Sequence, residues 1–402
     1  MADVLYLRDV DALVDPVRAK VVRCALGVRD GRCRILPPGD RSTLGPGEAM
    51  DCHGLVAVPG LIDAHVHWGN AAQARWAATP PTPDAMGGEY AAFLPAERLA
   101  CLRQGVTAFL SLGDPVGWIL AMRAAIRGGM PGPEVHAAGP LFTAPGGHPA
   151  SDLFVGNGWL IAEACRQYGA GEAAAAAREV DALAALGVDA IKAVYDGGGT
   201  LPRLDPGVLA AIATAAHRNG LALHVHVGTC ADAETALACG TDVIEHVPDP
   251  EGHPDRWEAV GDTLCRQRAA ICPTLVAHRH MWDGPTLEAA ARWVGRLSAA
   301  GVRVHAGTDT GNWDMGPGMA LHDELDLLRR GGMTAGQVLA AATAHPRSSL
   351  PGASGRIARW CPADWLLVAG DPLTDLDALR KPAVVVRVGR VVHQGAGEGG
   401  GR

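Results

Sequence analysis

Eight short apolar or β-branched runs alternate along the middle of the chain with stretches of helical periodicity, and this alternation constrains the fold more than any other feature. The runs are LIDAHVH from Leu61, VTAFLSLG from Val106, EVHAAG from Glu134, AIKAVYD from Ala190, LALHVHV from Leu221, DVIEHV from Asp242, AICPTL from Ala270 and VRVHAGTD from Val302. Near-continuous apolar strands separated by helices are the pattern of parallel strands buried on both faces. Eight of them predict an α/β fold, a (β/α)8 TIM-type barrel over 60–349. The intervening helices are legible too: EAAAAAREVDALAALG ends on Gly187, and Thr334 with Gln337 spells a capping box before QVLAAATAH.

The ends of the chain read differently. Residues 1–59 hold the strand-like runs VLYL and VVRCALGV, an Asp30-Gly31 turn and then LVAVPG, with no helical period. Similar runs return after Pro351 as DWLLVAG and AVVVRVGRVVHQG. Segments 1–59 and 350–394 are therefore expected to pair into a small β-sandwich module beside the barrel, and the tail at 395–402, GAGEGGGR, is expected to be disordered.

A formal charge of −8 without a basic cluster leaves nucleic-acid phosphates little to bind. No stretch approaches the ~18 uninterrupted apolar residues of a membrane span, and MADVLYLRDVDALVDP lacks a basic segment followed by an apolar one. The expectation is a cytoplasmic protein with a small-molecule substrate and no nucleic-acid or membrane partner, open to assembly as a homo-oligomer. Ten cysteines form no CxxC pair and read as reduced, mostly buried thiols. Of 35 basic residues only Lys20, Lys192 and Lys381 are lysines, so each of the three calls for a reason.

Chemistry concentrates where the runs end. In the first, Asp63, His65 and His67 share a face because side chains alternate, and two neighbouring imidazoles can chelate one ion; ordinary core histidines would spell the same letters. Lys192 sits inside an apolar strand, where a bare ammonium is costly unless paired or neutral. A neutral amine there can add carbon dioxide and become a carbamate, an anionic ligand able to bridge two metals. The simpler alternative is an ion pair with Asp63 or Asp309. His226 and His246 each close a strand, one helix apart. His224 and His305 lie deeper and read as core or supporting groups. Asp309 closes the eighth run, placed to bind an ion and take a proton from water, although Gly-Thr-Asp alone also suits a turn.

These segments resemble the amidohydrolase superfamily, and more closely its imidazolonepropionase-like and prolidase-like branch, through VPGLIDAHVH, GPLFTAPGGH, DAIKAVYDGG, HVHVGTCADAETALACGTDVIEH, ICPTL and AGTDTG. The resemblance implies a binuclear site with two divalent ions, zinc being the usual choice. His65 and His67 would hold the more buried ion with Asp309, carboxylated Lys192 would bridge, and His226 and His246 would hold the second. It also implies substrate contacts at His148 and Tyr195. Arg359-Trp360-Cys361-Pro362 before Ala363-Asp364 departs from the family's usual lysine there, a difference in the β module.

The expected reaction is hydrolysis of a small amide, such as an N-acyl amino acid, dipeptide or cyclic amide, by a metal-bridging hydroxide with Asp309 as general base. Lactone or phosphoester hydrolysis, a lyase or decarboxylase, and a metal-bearing binding protein are the alternatives. No G-x-S-x-G, HExxH or G-x-G-x-x-G motif supports a serine hydrolase, a zincin or a dinucleotide enzyme. Trp68, Trp76, Trp159, Trp282 and Trp313 fall in rim loops and could line an apolar pocket, Trp68 and Trp313 above all, or could pack loops together. Arg75, His278, Arg279 and His280 could meet a substrate carboxylate or simply be solvated.

Overall fold

The structure, a computed structural model, describes residues 5–40, 48–67, 95–197, 200–311, 315–350 and 355–395. Trp68, Arg75, Trp76, Trp313 and the tail at 396–402 lie outside the described residues.

Near the N-terminus, β1 (Leu5–Asp15), β2 (Lys20–Arg29), β3 (Arg32–Leu36), β4 (Glu48–Asp51) and β5 (Leu55–Pro59) join β16 (Trp365–Ala369), β17 (Val384–Arg387) and β18 (Arg390–Gln394) in one eight-stranded sheet. Strands from the two ends of the chain pair through β5 and β16, which run antiparallel from Trp365 opposite Pro59 to Ala369 opposite Leu55. Asp30 and Gly31 both adopt positive φ, +52° and +71°, the geometry that a tight hairpin between twisted strands requires. Leu7, Leu26, Cys33, Trp365 and Val386 pack into this sheet's own apolar core. Arg387 ties the module to the central fold: it pairs with Asp364 at 3.1 Å and with Glu134 across the boundary.

All eight central runs form extended backbone. β6 (Leu61–Val66), β7 (Val106–Ser111) and β8 (Glu134–Ala137) make one parallel sheet. A second parallel sheet has the order β10 (Cys165–Gln167), β9 (Leu141–Thr143), β11 (Ala190–Tyr195), β12 (Ala222–Val227), β13 (Val243–Glu245), β14 (Ala270–Cys272) and β15 (Arg303–Val304). The short strands β9 and β10 were not foreseen, because LFT and CRQ are not embedded in an apolar run of the length of the eight others. Backbone hydrogen bonds cross between the two sheets at both sides, from Asp189 N–H to Ala137 carbonyl at 2.7 Å, and from Ala64, His67 and Asp309 N–H to Ala306, Thr310 and His65 carbonyls at 2.7–2.9 Å.

Helices cover the sheets with small and branched residues. Ala176, Val180 and Leu183 of the helix Ala173–Leu186 pack with Val208, Leu209 and Ile212 of Pro206–Arg218 over Ile191, Ala193, Leu223 and Val225. Gly187 ends the first of these helices at φ +84°, where a side chain would be strained, and Thr334 and Gln337 form the reciprocal capping box. Pro206 opens its helix behind Asp205, whose carboxylate accepts from the N–H groups of Gly207 and Val208. All ten cysteines are free, and most are buried. Among the described residues no helix is long and apolar enough to cross a membrane.

Candidate active site

Because the strands run parallel, their C-terminal ends lie on one side, and five of them, β6, β11, β12, β13 and β15, deliver the titratable groups singled out above. His65 Nε2 and His67 Nε2 are 3.2 Å apart. Asp309 Oδ1 lies 3.4 Å from the first and 3.1 Å from the second. Ligand atoms about 2.0–2.1 Å from a tetrahedral divalent ion are separated by about 3.3 Å, so this trio has the spacing of three corners of a coordination shell.

Supporting groups decide which nitrogen each ring presents. Glu245 Oε2 takes the Nδ1 side of His65 at 2.6 Å, which turns the His65 Nε2 lone pair toward Asp309. The other Glu245 oxygen holds His224 Nδ1 at 2.5 Å, so one fully buried carboxylate fastens two strands. Asp196 Oδ2 meets His226 Nε2 at 3.2 Å and leaves Nδ1 as that ring's available nitrogen. Thr274 Oγ1 meets His246 Nδ1 at 2.7 Å and leaves Nε2. The His246 ring stands with its centroid 5.0 Å from that of His65 and 4.5 Å from that of His226.

Lys192 is buried on the same floor, and among the described residues no hydrogen-bond partner reaches its Nζ. Burial lowers its pKa, although Glu245 and Asp309 pull it back up. The ion pair with Asp63 or Asp309 is not formed; Asp63 instead accepts from the Thr308 hydroxyl at 2.8 Å and the Thr308 N–H at 3.0 Å. Burial pushes Asp63 up to about 7 despite those bonds. For Asp309 burial also acts upward, but the hydrogen bond from His67 and the electrostatic pull of the neighbouring His65, His67 and Lys192 outweigh it and hold the carboxyl below its ordinary range. Burial lowers His65 to about 4, so its imidazole is neutral and able to offer a lone pair.

Three site residues leave their strands in the left-handed region: His246 at φ +73°, Thr274 at +47° and Asp309 at +59°. Such backbone costs about 1–3 kcal/mol per non-glycine residue and survives where surrounding structure enforces it. At His246 the turn has a visible use. Alternation puts Ile244 against the helices and Glu245 inside, which would send the next side chain outward again; the positive φ re-aims it to the floor.

Above the floor lies a cavity of about 370 Å³. His67, Lys192, His226, His246 and Asp309 line its base, and His148 lines one side with its ring stacked 4.8 Å from that of His226. The expected contact at Tyr195 is corrected by the structure. Lys192 and Val194 face the cavity, so strand alternation turns Tyr195 the other way, into the core under the helices near Thr235. Trp282 lines the cavity, stacked 3.8 Å from His278, whereas Trp159 packs against Trp118 at 4.8 Å. Arg279 pairs with Asp323 at 3.6 Å. Sequence reasoning missed Glu245 and Asp196. The first could have been found from its place beside His246 in a strand too apolar to hold a lone carboxylate, the second from its position four residues after Lys192.

The chain is similar to a solved Bifidobacterium longum protein provisionally assigned as a prolidase, with 25% identity over 98% of this chain and 96% of that one and a TM-score of 0.75. It shares its fold with a Xaa-Pro dipeptidase holding methionine, at 22% identity over 98% and 100% of the two chains and a TM-score of 0.77. The same fold recurs in the A. niger ochratoxinase, at 20% identity over 99% and 97% and a TM-score of 0.76. No curated protein sequence matches the chain. The model of the amidohydrolase family matches residues 56–392, and this chain is a hydrolase that belongs to that family.

Proposed function

We propose that the protein is a divalent-metal-dependent hydrolase that cleaves the C–N bond of a small amide, such as an N-acyl amino acid, dipeptide or cyclic amide. The observation that carries this reading is the convergence of His65 Nε2, His67 Nε2 and Asp309 Oδ1 within 3.1–3.4 Å at the base of a cavity. Lone pairs packed so closely repel one another unless a cation or shared proton lies among them, and a set of two imidazoles and a carboxylate suits zinc. We assign His65, His67 and Asp309 to one ion, His226 Nδ1 and His246 Nε2 to a second, and a carbon dioxide-derived carbamate on Lys192 to the bridge. The unpartnered, buried Lys192 amine supports the last assignment, because only a neutral amine adds carbon dioxide.

When bound, the ions would supply an activated water and a Lewis acid for the carbonyl. Asp309, ionised at neutral pH, accepts the proton of the attacking water and passes it to the leaving nitrogen. Glu245 fixes the tautomer of His65, and Thr274 does the same for His246. His148, held at its Nδ1 by Asp152 at 2.8 Å, closes the substrate side. We read the hydrogen-bonded parallel strands as one closed (β/α)8 barrel over 60–349, and the sheet from 1–59 with 350–394 as a sandwich module.

The test combines metal analysis with turnover of N-acyl amino acids, dipeptides, cyclic amides and lactones. Two equivalents of metal and amide turnover are expected. Asp309→Asn should keep much of the metal and lose on the order of 10²–10⁴-fold in kcat. Near-normal rates in that variant would remove Asp309 from its role, and full metal with no turnover of any amide would end the amidase reading.

A further inference from the structure

The walls of the cavity narrow the substrate beyond small amides in general, an inference that rests on the hydrolase reading above. In the order of the larger sheet, β11, β12 and β13 stand between β9 and β14. Lys192 and His226 lie on β11 and β12, and His246 directly follows β13, so these floor groups come from the middle of that order. Apolar side chains come from its flanks. On the β9 side, Leu141 and Phe154 pack in one cluster with Val194, and Pro149 and Leu153 extend it along the cavity. On the β14 side, Val247, Met281 and Trp282 line the cavity. His278 ties that second wall together, because its Nε2 accepts from the Val247 N–H at 3.3 Å and its ring stacks 3.8 Å from that of Trp282.

Polar side chains at the lining are engaged within the protein. Asp196 meets His226 at 3.2 Å, Asp249 accepts from the Glu251 N–H at 2.7 Å, and His148 meets Asp152 at 2.8 Å. The two walls offer a ligand mainly apolar surface. Leu153 on one is 46% exposed and Met281 on the other 56%, large side chains that an apolar ligand would take out of water. A planar trans amide points its two substituents in opposite directions. With the carbonyl over the floor, the acyl substituent runs toward one wall and the nitrogen substituent toward the other.

We propose that the cavity selects open-chain amides with an apolar group on each side of the scissile bond, such as an N-acyl amino acid with a long acyl chain and an apolar side chain, and that Leu153 and Met281 meet one group each. Four substrates test this: N-acetylalanine, N-acetylleucine, N-hexanoylalanine and N-hexanoylleucine. In each, water adds to the acyl carbon, the C–N bond breaks, and the nitrogen takes the proton that the water gives up, releasing the carboxylic acid and the amino acid. Each enlargement should raise kcat/KM about tenfold or more, and both together about a hundredfold. Leu153→Ser should shrink the advantage of one enlargement and Met281→Ser that of the other; both side chains are exposed, so neither change opens a hole in the core. Loss of both advantages in either variant, or of neither, overturns the assignment of one wall to each group.

Calorimetry of the holoenzyme with the N-methanesulfonyl and N-hexanesulfonyl derivatives of alanine and leucine, which resist hydrolysis, separates binding from chemistry. Binding tightened by each enlargement supports the selection even if no amide turns over, an outcome that would sink the amidase reading alone. Equal affinities across the four derivatives, equal kcat/KM across the four amides, or an advantage confined to one enlargement overturns the two-sided selection and leaves amide hydrolysis standing.

Discussion

Glu324 is fully buried in the helix Met319–Arg330, where its Oε2 accepts from Val276 N–H at 2.7 Å and its Oε1 has no partner among the described residues. Burial raises its pKa from the ordinary 4.5 to about 8, against the pull of the Val276 and Leu275 N–H bonds. The folded protein therefore holds a proton there at pH 7 that the unfolded chain releases. A raised carboxyl contributes its full stability below pH 4.5 and loses it progressively as pH climbs toward 8. At about 1.4 kcal/mol per pH unit, the loss reaches about 3 kcal/mol at pH 7.

Glu324→Gln removes this dependence while keeping an oxygen for Val276, so the variant should match the parent near pH 4.5 and exceed it by up to about 3 kcal/mol at pH 7. Urea unfolding of both proteins at half-unit steps from pH 4.5 to 8 measures the difference. Parallel stability curves across that range would refute the reasoning, since they would mean that Glu324 ionises alike in the folded and unfolded chain. The test also bears on the site, because the loop that Glu324 braces carries Thr274, the partner of His246.

Other perturbations separate the remaining roles. Lys192→Ala should lower metal content and abolish most turnover; parent-like metal and rates would rule out the carbamate. Thr274→Val keeps the shape but loses the bond to His246 Nδ1, and should weaken one of two metal-binding steps about 10–100-fold in a titration. Arg387→Met leaves buried Asp364 without its cation and should cost about 3–5 kcal/mol in urea unfolding. A loss under 1 kcal/mol there would show that Asp364 takes up a proton instead of staying charged.

What the sequence disclosed, and what it withheld, follows from the range of each signal. Strands buried on both faces must be apolar throughout, so eight runs stood out. A histidine or lysine among them stood out equally, because burial makes such groups costly without a purpose. Three-residue β9 and β10 gave no such pattern. Roles carried over from resemblance did less well than alternation would have done: with Lys192 facing in, Tyr195 had to face out. Re-aiming of His246 and Asp309 by left-handed backbone was hidden as well, since positive φ outside glycine leaves no mark on residue type. Glu245 was overlooked because its importance lies in reaching His65, 180 positions away.

The antiparallel ladder between β5 and β16 has a consequence for synthesis. Pro59 leaves the ribosome about 300 residues before its partner Trp365, a delay of roughly 15–60 s at 5–20 residues per second. Throughout that interval the N-terminal strands present a bare edge with nothing to cap it, while the nascent centre can already collect its own helices. The segment from Trp365 onward therefore acts as a latch that closes a sheet made about 300 residues before it, and a message cut short before Trp365 would yield a chain prone to stick to its neighbours.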